Sequence, residues 1–199
     1  MKTYCIYCPE LAESHSTQVL HLAKRSVPAV FVAGIHGETF GVLGTKPYRF
    51  DSPKNGEVTG YRHTGLFLSH YLVWSIASQQ TDRHFMVLED DADFPEDWRK
   101  RFDAAWKDIP TDFDILLIGS ANTSDKPKKQ IRGNIWLVEY PFTSHAYIVA
   151  FKAIPLLLDR MRDCSMPIDI ALIHLAYPKL KVYTVLPRIV NQRKTQLTD

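Results

Sequence analysis

The run Phe85-Met86-Val87-Leu88-Glu89-Asp90-Asp91-Ala92-Asp93 constrains this chain more than any other. Four bulky apolar residues pass at once into four acids within five positions. An apolar run that short predicts a buried strand. Asp disfavours strands, so the acids mark its C-terminal edge, where open α/β sheets bind ligands. Clustered carboxylates repel one another: at an effective dielectric near 20, a pair about 4 Å apart costs roughly 4 kcal/mol. A divalent cation relieves that repulsion, and oxygen-only ligands suit Mg²⁺ or Mn²⁺. If the extended geometry persists, alternation places Glu89 and Asp91 on one face, Asp90 on the other, and Asp93 with Asp91. Asp91 belongs to both pairs and is the leading metal-ligand candidate, with Glu89 and Asp93 beside it. The competing expectation is an acidic surface turn, with Asp93 or Phe94 capping a helix that begins near Pro95.

The rest of the chain reads as alternating strands and helices. Thr3 to Tyr7 predicts a strand and Pro9 to Arg25 a helix, with Leu11, Val19, Leu22 and Ala23 as inward positions. Ala29 to Ala33 predicts a second strand, so the chain opens β-α-β, which argues for a parallel sheet. Gly34 to Arg62 is rich in glycine and reads as a long loop, functional or a surface insertion. Thr64 to Ser78 predicts a helix with a Leu68, Leu72, Ile76 stripe, and Ser69 and His70 on or beside it. Pro95 to Lys107 predicts another, on a Trp98, Phe102, Trp106 stripe read as packing rather than a sugar platform. Asp114 to Gly119, Ile135 to Tyr140, His145 to Phe151 and Lys181 to Leu186 predict strands. Ala153 to Arg162 and Pro167 to Leu175 predict short helices. Ser120 to Gly133 is a polar loop whose Lys126, Lys128, Lys129 and Arg132 suit a basic flap over phosphates.

With 199 residues, the expectation is one domain over residues 1–199. Residues 1–63 would form a donor-nucleotide half with the long loop, and 64–199 would carry the metal motif and acceptor half. A charge of +2 is too mild to imply nucleic acid by itself. The first residues run into Pro9-Glu10 without a signal-peptide core, and no stretch approaches a membrane span. A cytoplasmic protein is expected, with peripheral membrane contact permitted. Cys5 and Cys8 form a C-x-x-C, but on one strand they point to opposite faces and make a poor shared metal site.

A metal at a strand edge, a basic flap and a basic tail fit sugar transfer from a nucleotide-sugar, phosphate-ester hydrolysis, or a structural metal. No phosphate loop occurs, and Asp91-Ala92-Asp93 is followed by Phe94-Pro95, without the Thr of a haloacid-type phosphatase. Sugar transfer survives this elimination best.

Five segments, in order, resemble glycosyltransferase family 25. Gly65 to His70 is similar to its glycine-then-L-S-H helix, and Val87 to Ala92 to its L-E-D-D-A motif. Ser144-His145-Ala146-Tyr147 is similar to its T-H-A-Y strand, and Pro167-Ile168-Asp169 to its P-x-D segment. Leu186-Pro187 through Gln192 matches its closing stretch. Two segments depart from the family: Tyr7 to Leu11, where an N-L-D-R-type stretch is usual, and Tyr61 to Gly65, where G-E-x-G-C is usual. Both lie where a donor nucleotide or its sugar would sit.

The resemblance implies a single GT-A-like, Rossmann-type α/β/α sandwich with a mostly parallel central sheet. It implies a UDP-linked nucleotide-sugar donor, a Mn²⁺ or Mg²⁺ cofactor, and inversion at the anomeric carbon. Asp169 is then the expected catalytic base. Asp90, His145, Ser69 and His70 would serve the cofactor side, with His145 a further metal ligand or a diphosphate contact, and Ser69 and His70 as braces. The acceptor would be a glycan, a protein side chain or a modified DNA base. The alternatives are a metal-dependent phosphate-ester hydrolase and a degenerate nucleotide-sugar-binding module.

Overall fold

A computed structural model of the chain describes residues 1–36, 49–52, 56–59, 61–119, 129–138, 141, 144–162 and 166–193. Strand β1 (Lys2–Tyr7), helix α1 (Ala12–Lys24) and strand β2 (Val30–Ala33) form the predicted opening unit. A hairpin follows, β3 (Arg49–Ser52) and β4 (Gly56–Thr59), inside what the sequence reads as loop. Then come α2 (Tyr61–Ala77), β5 (His84–Leu88), β6 (Ala92–Asp93), α3 (Trp98–Trp106) and β7 (Ile115–Leu117). The second half holds β8 (Lys129–Arg132), β9 (Ile135–Leu137), β10 (Ala146–Ala150), α4 (Ile154–Arg160) and α5 (Ile168–Ala171). A wider helical turn at Leu172–Ala176 leads to β11 (Val182–Val185) and β12 (Asn191–Gln192).

The main sheet has eight strands in the order β2-β1-β5-β10-β7-β11-β9-β8. β2, β1, β5, β7, β11 and β8 run one way; β10 and β9 run the other. The chain leaves β1 toward β2 and later returns to its other side with β5. This reversal puts a topological switch point at the C-terminal ends of β1 and β5, where such sheets open a ligand crevice.

Two cores flank the sheet, divided by the pleat. Tyr4, Ile6, Phe85, Val87, Ile115, Leu117, Tyr147 and Val149 pack with α2, α4 and α5. Cys5, Met86, Leu88, Leu116, Ile118 and Ile148 pack on the opposite side with Leu22 of α1 and Trp98 and Phe102 of α3. Successive strand residues point to opposite faces, and both faces are covered, so the strands read as unbroken apolar runs. This is an α/β/α sandwich with a mostly parallel sheet.

Two helix faces differ from expectation. Leu11 and Val19 are exposed, while Gln18 is fully buried because its amide donates to the Ala92 carbonyl at 3.0 Å. In α2 the fully buried face is Phe67, His70, Val73, Trp74 and Ala77. The expected Leu68-Leu72-Ile76 stripe is only partly buried against that core, because α2 is covered by helices as well as by the sheet. Of the basic flap, Lys126 and Lys128 lie outside the described residues; Lys129 and Arg132 lie on the exposed edge strand β8, with Arg132 paired to Asp108 at 3.0 Å.

Gly119 follows β7 against the start of β10. A Cβ there would lie 2.4 Å from His145 Nε2 and 2.8 Å from the Ala146 Cβ. Gly119→Ala should therefore displace His145 and cost about 1–3 kcal/mol by overpacking. Urea denaturation of the two proteins checks this; an unchanged midpoint would contradict the packing.

Candidate active site

β5 ends at Leu88, and the chain turns at once: the Ala92 amide donates to the Glu89 carbonyl at 3.1 Å. The alternation expected for Glu89, Asp91 and Asp93 stops there, since it holds only in extended backbone. Each acid takes a different partner. Glu89 Oε1 accepts hydrogen bonds from Ser144 Oγ at 2.7 Å and His70 Nε2 at 3.3 Å. Asp90 accepts from Ser14 Oγ at 3.1 Å, across from α1. Asp91 Oδ2 accepts from Gln192 Nε2 at 2.8 Å. Asp93 lies 3.4 Å from His21 Nε2, but that nitrogen already accepts the Phe94 amide at 2.9 Å. A ring nitrogen with its lone pair so used carries no proton, so this contact is not an ion pair. Burial also pushes the His21 pKa down, in keeping with a neutral ring.

The three expected metal ligands therefore do not converge. Among the described residues, no three His, Cys, Asp or Glu side chains are grouped so as to hold a metal. Asp91 nevertheless has the mark of a ligand. It is 8% exposed, and its Oδ1 is buried without a hydrogen-bond partner. Burial, then the neighbouring Glu89 charge, pushes its pKa up to about 7. Mg²⁺ and Mn²⁺ are commonly held by one or two carboxylates with the rest of the shell from substrate phosphates and water. One open buried oxygen on Asp91 fits that arrangement.

The closing strand holds the turn in place. β12 pairs antiparallel with β6, Asn191 opposite Asp93 and Gln192 opposite Ala92. The Arg193 amide donates to the Asp91 carbonyl at 2.8 Å, and its guanidinium donates to the Asp90 carbonyl and to Gln18.

β10 enters antiparallel beside β5, so its first residues meet β5's last ones. His145 precedes β10, and its carbonyl accepts the Glu89 amide at 2.9 Å. The ring is 1% exposed, beneath Gly119. Burial depresses its pKa, and the Glu89 charge offsets this in part. Burial also opposes charge on Glu89, but the His70 and Ser144 hydrogen bonds outweigh it and hold its pKa below the usual value. Asp90 is raised, first by burial.

Beside this turn a cleft opens at the predicted switch point. It is lined by Tyr7 of β1, Gly34 and His36 after β2, Leu66 of α2, and Glu89 and Asp90. Ser69 also faces it but is already engaged: its hydroxyl donates to the Gly65 carbonyl at 2.7 Å and accepts the Ile35 amide at 2.8 Å. It ties the residues after β2 to α2. Asp169 stands in the first turn of α5, partly exposed, with no described residue bonded to its carboxylate. Nothing in the described geometry joins it to the acidic turn.

Sequence reading missed Ser14, Gln18, Arg193 and the Trp74–Tyr147 pair behind His70. Tyr147 lies inside the T-H-A-Y segment, which was the available signal; Ser14 and Gln18 carried none.

With its folded pKa raised, Asp91 binds its proton more tightly in the folded chain. Below about pH 4 it is protonated in both states. From about 4 to 7 stability falls as pH rises, and above 7 the full penalty stands. Asp91→Asn should remove that slope and stabilise the ligand-free protein at pH 8 by about 1–2 kcal/mol, the unpaired amide offsetting part of the gain. Thermal unfolding at pH 5 and pH 8 measures this; equal slopes in both proteins would contradict the assigned burial.

Known proteins match this chain in sequence and in fold. The sequence profile of "Glycosyltransferase family 25 (LPS biosynthesis protein)" matches residues 21–172. The chain is 25% identical over 158 residues to procollagen galactosyltransferase 1-A of Xenopus laevis, covering 75% of this chain and 26% of that protein. It is 25% identical over 126 residues to a probable inactive glycosyltransferase 25 family member 3 of Rattus norvegicus, covering 60% of this chain and 22% of that protein. The chain thus spans about a quarter of the length of these relatives. In fold, it is similar to a glycosyltransferase involved in glycosylation of the major capsid of PBCV-1, with TM-score 0.54 and 8% identity over 98% of this chain and 94% of that one. It is also similar to the inositol-1-phosphate CTP transferase from T. maritima, with TM-score 0.51 and 14% identity over 97% and 89%. The acidic turn, the L-S-H helix and the T-H-A-Y strand all fall inside the matched range, and the chain belongs to glycosyltransferase family 25.

Proposed function

We propose that this domain transfers a sugar from a UDP-linked nucleotide-sugar to an acceptor hydroxyl, with inversion and with help from Mn²⁺ or Mg²⁺. The observation that carries the proposal is the buried, unpartnered Oδ1 of Asp91 in the turn after β5, whose preceding residues Glu89 and Asp90 line a cleft at the sheet's switch point. Family membership supports the reaction class.

Asp91 is the residue that would hold the cation. When bound, that cation supplies positive charge to the departing diphosphate. Tyr7, His36 and Asp90 would line the nucleoside side of the cleft. The closing strand fixes Asp91 through Gln192 and Arg193 before any ligand arrives, so little reorganisation is left to binding. His145, neutral by burial and adjacent to Glu89, supports the phosphate side without adding charge.

Transfer is one in-line displacement. The acceptor oxygen bonds to the anomeric carbon as the bond to the diphosphate oxygen breaks, and the hydroxyl proton passes to a carboxylate base. Asp169 is the residue we assign to that role. Its partly exposed carboxylate has no described partner to compete for the proton. The acceptor is a glycan or protein hydroxyl. No helix among the described residues is long and apolar enough to cross a membrane.

The test is nucleotide release from a panel of nucleotide-sugars with Mn²⁺, beginning with UDP-galactose because of the name of the Xenopus relative. The expected result is nucleoside diphosphate release from one donor, lost at least about 100-fold in Asp91→Ala. Asp169→Asn should keep donor affinity and lose transfer to any acceptor found. Binding without release under all conditions would favour a nucleotide-sugar-binding module. Inorganic phosphate release from simple phosphate esters, without donor binding, would favour a hydrolase.

A further inference from the structure

Behind Glu89 runs a chain of buried hydrogen bonds whose direction is fixed at both ends. Trp74 Nε1 is 3.0 Å from the Tyr147 hydroxyl oxygen, and an indole nitrogen can only donate. The Tyr147 oxygen therefore accepts there. A phenol oxygen can accept twice, so its proton is placed from the other end: an ionised Glu89 only accepts, a neutral His70 then keeps Nδ1 bare, and the Tyr147 hydroxyl 2.8 Å away donates to it. A neutral ring that accepts at Nδ1 carries its proton at Nε2, which lies 3.3 Å from Glu89 Oε1. Ser144 Oγ donates to that same oxygen at 2.7 Å. Two donors meeting at one oxygen make Glu89 the acceptor-only end.

The geometry of the other carboxylate oxygen gives this chain a purpose. Both of these bonds fall on Oε1. Trp74, His70 and Tyr147 are each buried to within 1% of complete. The Glu89 side chain alone reaches the surface, 15% exposed, and it lines the cleft. The relay holds one oxygen, and the side chain that carries the other reaches the cleft.

We propose that His70 is a positioning residue, held by Tyr147 and Glu89 as the Nε2–H tautomer, and that it presents Glu89 Oε2 to a hydroxyl of the donor's sugar. Glu89 is thereby a ligand-reading carboxylate rather than the metal ligand the sequence suggested. A carboxylate that only accepts suits a polyol, whose hydroxyls donate, and repels an unneutralised diphosphate. The inference rests on the donor reading above, so its test has two independent arms.

The first arm needs no ligand. Nitrogen-15 NMR of the full chain should show the neutral form of His70 protonated at Nε2 and bare at Nδ1. Tyr147→Phe, which removes the donor at Nδ1, should shift the Nδ1 resonance while Glu89 keeps the proton at Nε2. A neutral ring protonated at Nδ1 overturns the relay.

The second arm is calorimetry with Mn²⁺, using UDP and the best-bound UDP-sugar. Glu89→Gln and His70→Leu should each weaken the UDP-sugar about 10–100-fold while leaving UDP within about 3-fold. Where His70→Leu fails to fold, His70→Gln serves: it keeps one donor and one acceptor, and should restore UDP-sugar affinity to within about 5-fold of the parent. Equal loss for both ligands overturns the sugar contact and assigns Glu89 to the nucleotide or metal. Failure of the parent protein to bind any nucleotide overturns the donor reading and the sugar contact together, while the NMR arm still decides the relay.

Discussion

Burying Asp91 is the costly step on which the rest of this site depends. A carboxylate in a dry place beside two others is unstable unless something neutralises it, and here one oxygen has no partner at all. The surroundings compensate only in part. Gln192 donates to one oxygen, Arg193 ties down the turn's backbone, and Gln18 takes the Ala92 carbonyl from the side of α1. None of these places a cation against the open oxygen. A fold seldom keeps such a deficit where it has no use, and strain of this kind concentrates at functional sites. The open oxygen is the feature on which the proposed cation site rests.

The sheet explains why the compensating groups come from distant parts of the chain. An all-parallel sheet would bring only C-terminal strand ends to the cleft. β10 runs against its neighbours, so it delivers a strand beginning, Ser144 and His145, to the end of β5. β12 then returns across β6 and closes the turn from the other side. Four sequence-distant segments, α1, α2, the start of β10 and the closing strand, meet around four consecutive positions. That convergence lets neighbouring acids have unlike environments: Glu89 is held ionised by two donors, while Asp91 is pushed toward neutrality. Residues that differ by two positions acquire different chemistry because their partners differ, not their side chains.

Much of this was legible in the chain. Apolar runs of strand length located β1, β2, β5, β7, β10 and β11, most clearly the central β7 and β10, whose residues are all buried. The Trp98-Phe102-Trp106 stripe located α3 and its buried side. What sequence could not show was where the pleat stops. Alternation predicted Glu89 and Asp91 on a shared face, and the Ala92-to-Glu89 turn cancels it one residue past the strand. The same limit applies to α1, where Gln18 is buried and Val19 exposed. A hydrophobicity pattern ranks glutamine as outward, and only the Ala92 carbonyl, seventy-four positions on, makes it inward. The hairpin β3–β4 escaped because its two short strands are set among Gly, Pro, Asp and Ser, which read as loop.

The relay behind Glu89 bears on a broader question about acidic clusters at strand ends. Such clusters invite the assumption that every acid binds metal. Hydrogen-bond direction argues otherwise here. Glu89 Oε1 accepts from both Ser144 and His70, which ties that oxygen to the protein. Asp90 is engaged with Ser14, and Asp93 faces a histidine nitrogen whose lone pair is already used. Only Asp91 keeps a buried oxygen open. The sequence offered three metal-ligand candidates with Asp91 foremost, and Asp91 is the one whose buried Oδ1 has no hydrogen-bond partner among the described residues. Glu89 is held through α2 and the start of β10 and Asp91 through the closing strand, so the surroundings of the two carboxylates can be altered separately.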